Sequence, residues 1–190
     1  IGGFLAGTLG GAVLGLSFWW SKTFAKIFEP YLVMFNAIPK LALAPILIVL
    51  FGIGFSSKVM LAFLMTVISC ALATVSGVEN VNESMETLLY SLGAARWQVF
   101  GKVVVPAVLP WMLGSLRINI SLALAGAIVG EFIASGHGLG RMVIYAGTIL
   151  DTMLVWVGVI VLSLLAMVMY FAVVELEKWM TEHLAIYRKA

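Results

Sequence analysis

The chain has 190 residues, 63% of them apolar and 11% charged, and its mean hydropathy is +1.12. Soluble domains carry about a quarter charged residues, so this composition excludes a water-soluble globule, and a net charge of +2 is too small to imply a nucleic-acid partner. The single cysteine, Cys70, excludes an intrachain disulfide and a cysteine-rich metal centre and reads as a small hydrophobe inside a span. Five apolar segments, residues 2–20, 31–53, 58–78, 108–134 and 150–174, each reach the roughly 20 residues that a helix needs to cross a bilayer. The class is an all-α integral membrane protein with the bilayer as its solvent.

In the first segment, glycines at 3, 7, 11 and 15 recur every fourth residue on one face, a pattern that lets helix backbones approach closely. Trp19 and Trp20, followed by Lys22 and Lys26, mark a water interface. The second segment is interrupted by Pro39 and Pro45. Pro39 disfavours helix at Ile38, which suggests a separate short helix over residues 29–38, although both prolines also suit simple kinks. The run Phe51-Gly52-Ile53-Gly54-Phe55-Ser56-Ser57 reads as a tight reversal with Ser56 or Ser57 capping the third span. After the fourth span, Ser135-Gly136-His137-Gly138-Leu139-Gly140 opens a glycine-punctuated loop that is expected to carry a short surface helix. Residues 175–190 alternate charges with Leu176, Trp179, Leu184 and Tyr187, the pattern of a helix emerging along the membrane surface.

The long stretch between the third and fourth spans is too polar for hydrocarbon, with Glu83, Glu86, Arg96, Gln98 and Lys102. Apolar residues at 85, 88, 89, 92, 95, 99 and 103 recur at helical steps, and Gly93 is expected to break that helix in two. Pro106 and Pro110 are read as punctuating the return to the membrane. If this elbow, about residues 79–106, is cytosolic, Lys22, Lys26, Arg96, Lys102, Lys178, Arg188 and Lys189 fall inside. Only Lys58 and Arg141 then fall outside, with Lys40 and Arg117 near or within spans. That asymmetry favours the elbow-in orientation.

Leu92-Gly93-Ala94-Ala95-Arg96-Trp97-Gln98, followed by Lys102-Val103-Val104-Val105-Pro106-Ala107-Val108-Leu109-Pro110, resembles the cytoplasmic signature loop of binding-protein-dependent ABC transporter permeases. Within them it is most similar to the nitrate, sulfonate (taurine) and bicarbonate branch. The resemblance continues through Gly114-Ser115-Leu116-Arg117, Gly130-Glu131-Phe132 and Gly138-Leu139-Gly140, and back to Ile38-Pro39-Lys40-Leu41-Ala42-Leu43-Ala44-Pro45 and Phe51-Gly52-Ile53-Gly54. It implies one domain over residues 1–190, a type I importer bundle in the bacterial plasma (inner) membrane. The family adds a span upstream, so the chain is expected to be a five-span fragment of a six-span protein.

The resemblance also implies partners: a second permease copy, two ATP-binding subunits inside, and a periplasmic or lipid-anchored substrate-binding protein outside. No cofactor is expected on this chain, because ATP and Mg belong to the partner ATPase, and the permease hydrolyses nothing. The solute would be small and polar or anionic, with vitamin precursors as the alternative within the family. Leu89, Leu92, Gly93, Ala94, Ala95 and Arg96 would form the knob that docks on the ATPase. Leu88-Leu89-Tyr90 stands where the family commonly carries a Glu-Ala-Ala or Ala-Arg-type start, so the salt bridge that a family acid or Arg would make is not expected here, while the docking is. On composition alone, the same elbow suits an amphipathic loop resting on the bilayer with Trp97 as its anchor.

Three polar residues stand inside spans. Glu131, the one carboxylate deep in an apolar stretch, either gates a pathway or braces the amides of residues 136–140, with Arg141 and His137 as further candidate partners. Arg117 and Asn119 lie in the inner third of the fourth span; Arg117 either snorkels to the cytosol, bonds elbow carbonyls or meets an anionic solute. A secondary transporter driven by an ion gradient would want paired intramembrane acids and inverted repeats. An intramembrane enzyme would want clustered polar groups at one depth. Neither pattern is present in the sequence.

Overall fold

The computed structural model describes residues 1–189, the side chains of Ala134 and of 183–189 excepted. Leu184, Tyr187, Arg188 and Lys189, expected on the surface helix, lie outside the described side chains. The described chain is helical with no strand. It runs as α1 (Gly2–Trp20), α2 (Lys22–Ala37), a 3-10 turn (Lys40–Leu43), α3 (Ala44–Phe51), α4 (Phe55–Glu79), α5 (Glu83–Ser91) and α6 (Arg96–Val99). A π turn (Phe100–Val104), α7 (Val105–Ala134), α8 (Leu139–Thr148) and α9 (Thr152–Lys189) follow.

The spine is a parallel pair, α1 and α4. Gly3, Gly7, Gly11 and Gly15 meet successive turns of α4 at Ala62, Thr66, Cys70 and Thr74. A Cβ added at Gly11 would stand 2.7 Å from Cys70 Cβ and 2.9 Å from the Ala71 nitrogen, so the two backbones touch through this stripe. Close approach matters in lipid, where burying apolar side chains against a neighbour gains little over leaving them in hydrocarbon. Thr66 and Thr74 are fully buried at the seam. Their hydroxyls donate back to the Ala62 and Cys70 carbonyls at 2.9 and 2.8 Å, so neither is left unpaired in the apolar interior. The fully buried Cys70 fills the seam, as a small hydrophobe would.

On its other side α4 receives α7, which runs antiparallel: Trp111 lies on Gly77, Ala62 on Gly126 and Lys58 on Gly130. Since α1 and α4 point the same way, the chain between them must return across the bundle. It does so in pieces. α2 starts at Lys22, well before the expected residue 31, and ends at Ala37. Ile38 is extended with ψ 133° because the ring of Pro39 excludes helix before it. α2 and the segment Lys40–Phe51 meet at 80°, two helical pieces separated by a break and not one kinked helix. α3 then packs Ala44 and Leu47 on Leu61 of α4.

Two sequence expectations are corrected here. α4 begins at Phe55, and the Ser57 hydroxyl donates to the Gly54 carbonyl at 3.2 Å, so neither Ser56 nor Ser57 caps the helix by accepting an amide. Pro106 and Pro110 do not interrupt the fourth span; helix runs from Arg96 to Ile133, 38 residues. Pro106 removes a donor and pushes away the carbonyl four residues back, and the π turn just before it accommodates that conflict, with the Val105 amide bonding to Phe100 five residues back. α9 runs on from the span to Lys189 as one continuous helix.

Candidate functional site

The elbow is assembled from turn chemistry. Asn82 opens α5 by accepting the Ser84 amide at 2.9 Å. α5 closes in a Schellman turn: the Ala94 amide donates to the Leu89 carbonyl at 3.0 Å, and the Gly93 amide to Tyr90 at 3.0 Å. Gly93 takes φ +79° there, a conformation that a side chain would strain. α6 follows at once, its first amide at Ala95 held by the Gln98 side chain at 2.8 Å. Leu92, 75% exposed, and Ala95 stand at the surface of this turn, while Leu89 and Ala94 are half-buried because the turn folds them together. The exposed apolar face is therefore Met85, Leu88 and Leu92, at helical spacing along α5.

Arg96 does not rim that face. Its guanidinium donates to the Trp20 carbonyl at the end of α1 and lies 5.3 and 5.2 Å from the ring centres of Trp19 and Trp20. The Trp97 ring lies 4.5 Å from Trp20 at a tilt of 53°, Phe100 lies 5.4 Å from Trp19, and the Trp19 indole donates to Glu86 at 2.9 Å. Both arms of the elbow are thus latched to the last turn of α1. The sequence marked Trp19 and Trp20 only as interface residues, since nothing local to them announces partners that lie 67 and 76 positions later.

At the opposite end, Glu131 accepts the Gly140 amide at 2.8 Å, at the start of α8. Gly138, at φ +128°, lies so close that a Cβ there would come within 2.6 Å of Glu131 Oε1. The cation facing this carboxylate is Lys58 of α4, at 3.9 Å, and that amine also donates to Ser135 Oγ at 2.8 Å. Of the partners considered from sequence, Arg141 donates instead to the Ser135 carbonyl at 2.6 Å, and His137 reaches Ser135 through its backbone. Lys58 was missed because the pairing depends on α4 and α7 running antiparallel, which no local signal gives.

The Arg117 guanidinium makes a two-pronged bond to Glu177 of α9, at 2.6 and 3.1 Å. Asn119 is fully buried, its amide 3.4 Å from Ser115 Oγ, on the side of α7 that faces Cys70. The structure does not bring Arg117, Asn119 and Glu131 into one site. They serve three separate helix contacts.

The family of binding-protein-dependent transport system inner membrane components matches residues 7–182. The riboflavin transport system permease protein of Chloroflexus aurantiacus is 36% identical over 149 residues, 78% of this chain and 56% of that one. The formylaminopyrimidine transport permease protein of Halalkalibacterium halodurans is 35% identical over 88% of this chain and 67% of its own length. The taurine transport system permease protein of Escherichia coli is 32% identical over 93% of this chain and 64% of its own length. The chain thus spans 56% to 67% of the length of these relatives. Among solved structures, an inward-facing methionine ABC transporter superposes with TM-score 0.76 at 18% identity, over 93% of this chain and 90% of that one. An amino acid ABC transporter gives 0.67 at 16% identity, over 95% and 88%. The fold is that of these type I importer permeases, and the chain belongs to the family of binding-protein-dependent transport system inner membrane components, multi-pass permeases of ABC transporters.

Proposed function

We propose that this chain is the membrane-spanning part of an ATP-driven importer for a small polar or anionic solute. Two copies would enclose the path, two ATPase subunits would dock on the elbows, and a soluble binding protein would deliver solute at the opposite end. The chain would carry no cofactor of its own, with ATP and Mg on the ATPase. The observation that carries the reading is the elbow itself. It projects an apolar face of Met85, Leu88 and Leu92 that no helix among the described residues covers, and it is clamped to α1 through Arg96 and the tryptophans. A push on that face reaches the tightly meshed α1–α4 pair as a rigid-body displacement. The relatives transport taurine, riboflavin or formylaminopyrimidine, so sulfonates and vitamin precursors are the two solute classes in contention. In reconstituted complexes, Leu92→Asp should abolish binding-protein-stimulated ATP hydrolysis and uptake while the permease still folds. Unchanged stimulation would refute the docking role.

A further inference from the structure

We infer that one stripe of α2, ending at Lys40, is a wetted wall that receives an anionic headgroup, a sulfonate or carboxylate. The inference rests on the transport reading above and gives it a place in the molecule. Lys26, Glu29, Val33 and Asn36 follow one another at steps of three and four residues, so they share one face of α2. The opposite face carries Phe24, Phe28, Tyr31 and Phe35, with Phe24 and Phe28 stacked at 4.2 Å. No residue of α2 is buried against the rest of the chain. Lys26, Glu29, Pro30 and Val33 line a shallow open groove along the polar stripe.

Across the break, Lys40 joins that stripe through its bonds to Asn36. It is the only charged residue between Glu29 and Lys58, in an otherwise apolar stretch of a membrane chain, where an ionisable group is costly unless it serves a polar path. It sits directly after the break at Ile38–Pro39, and its amine turns back to the Asn36 carbonyl at 3.0 Å and to Asn36 Oδ1 at 3.1 Å. Both acceptors are neutral, and no carboxylate pairs with Lys40 among the described residues. Two of its three N–H groups are thereby held in place, leaving one donor and the whole positive charge to an oxyanion. The amine also complements the carbonyl end of α2. That role would affect stability and not charge selection, which separates it from the proposal.

The test uses the full-length permease, assembled with its partner subunits in vesicles, in a Cys70→Ser background. Val33→Cys, about two turns or ~10 Å from Lys40, is modified with 2-sulfonatoethyl or 2-trimethylammonioethyl methanethiosulfonate. In either case the cysteine thiolate attacks the reagent's divalent sulfur, a mixed disulfide forms and methanesulfinate leaves with the bonding electrons. After normalising to rates with free thiol, the sulfonate reagent should be favoured roughly four- to tenfold. Lys40→Arg should keep that ratio and Lys40→Met should bring it to about unity. Phe35→Cys, on the opposite face, should be inert to both. An absent preference, a preference that survives in Lys40→Met, or Phe35→Cys reacting as fast as Val33→Cys would overturn the inference. Should Lys40→Met fail to assemble, ionic strength decides instead: a ratio indifferent to salt overturns it, and a ratio falling toward unity supports it. Labelling needs no ATP. Charge preference without uptake would therefore refute the transport reading alone, and uptake without charge preference would refute this wall alone.

Discussion

The glycine seam between α1 and α4 makes a quantitative prediction from two neighbouring positions. Gly10 and Gly11 sit on the same helix, so replacing either by Ala gains the same intrinsic helix propensity, about 0.8–1 kcal/mol. Their surroundings differ. A methyl at Gly10 meets only Phe63 and Val67 side-chain atoms, each at 3.7 Å, an ordinary van der Waals distance. A methyl at Gly11 would lie 2.7 Å from Cys70 Cβ and 2.9 Å from the Ala71 nitrogen, and it also meets the Val67 carbonyl. Those are largely backbone atoms, so relief requires the helices to separate by something on the order of 1 Å, an overpacking that costs about 1–3 kcal/mol. Separation also loosens the contacts at Gly7 and Gly15, so the penalty belongs at the upper end. Gly10→Ala should therefore be neutral or up to about 1 kcal/mol stabilising, and Gly11→Ala about 1–2 kcal/mol destabilising. Thermal unfolding of the purified permease in detergent, followed by tryptophan fluorescence, reads the difference. A Gly11→Ala protein as stable as Gly10→Ala would refute the direct backbone contact and with it the parallel α1–α4 spine.

Other outcomes follow from the two ends of the bundle. Glu131→Gln keeps an acceptor for the Gly140 amide and should cost less than Glu131→Ala, which strands that amide and Lys58 and should lose about 1–3 kcal/mol in the same unfolding assay. If Glu131 serves as a brace, solute selectivity in uptake assays stays unchanged in Glu131→Gln; altered selectivity with normal stability would make it a gate. Gly138→Ala should be at least as harmful as Glu131→Ala, because it forces a side chain into φ +128° and against the carboxylate. Arg96→Ala should free the elbow from α1, seen as faster proteolysis between residues 83 and 99 while the spans stay protected; unchanged cleavage would mean that the tryptophan contacts suffice. Glu177→Gln should lower the unfolding temperature by releasing α9 from Arg117, and an unchanged temperature would mean that the ion pair is idle.

What was legible in the sequence was local. The stripe at Gly3, Gly7, Gly11 and Gly15 announces a close helix contact because its spacing maps directly onto one face, and Gly93 announces the elbow turn because only a residue without Cβ enters that conformation cheaply. Ile38 could be read as a break from the proline that follows it. Continuity was harder to read. Pro106 looks like a stop until the π turn before it is seen to absorb the missing donor, and the charges after residue 174 look like an exit from the membrane although they do not end a helix. Pairings were not legible at all. Lys58 with Glu131, Arg117 with Glu177, and Trp19 with Glu86 each join residues at least 60 positions apart, and they exist only once helix order and direction are fixed.

The unbroken helix from Arg96 to Ile133 joins the elbow to the far-end brace, and that gives it the mechanics of a lever. Its ends at Arg96 and Glu131 stand about 52 Å apart at 1.5 Å per residue. Its bearings on α4 are Trp111 on Gly77 near one end and Gly126 on Ala62 near the other. A tilt of about 10° around its midpoint, within the range of rigid-body switches, would carry each end through about 4–5 Å in opposite senses. That is close to one helical turn, enough to slide Glu131 off the Gly140 amide while the elbow swings the other way. The π turn at Phe100–Val104 is the compliant joint in this shaft, so how much of a push at the elbow arrives at the brace is set by how stiffly those five residues hold.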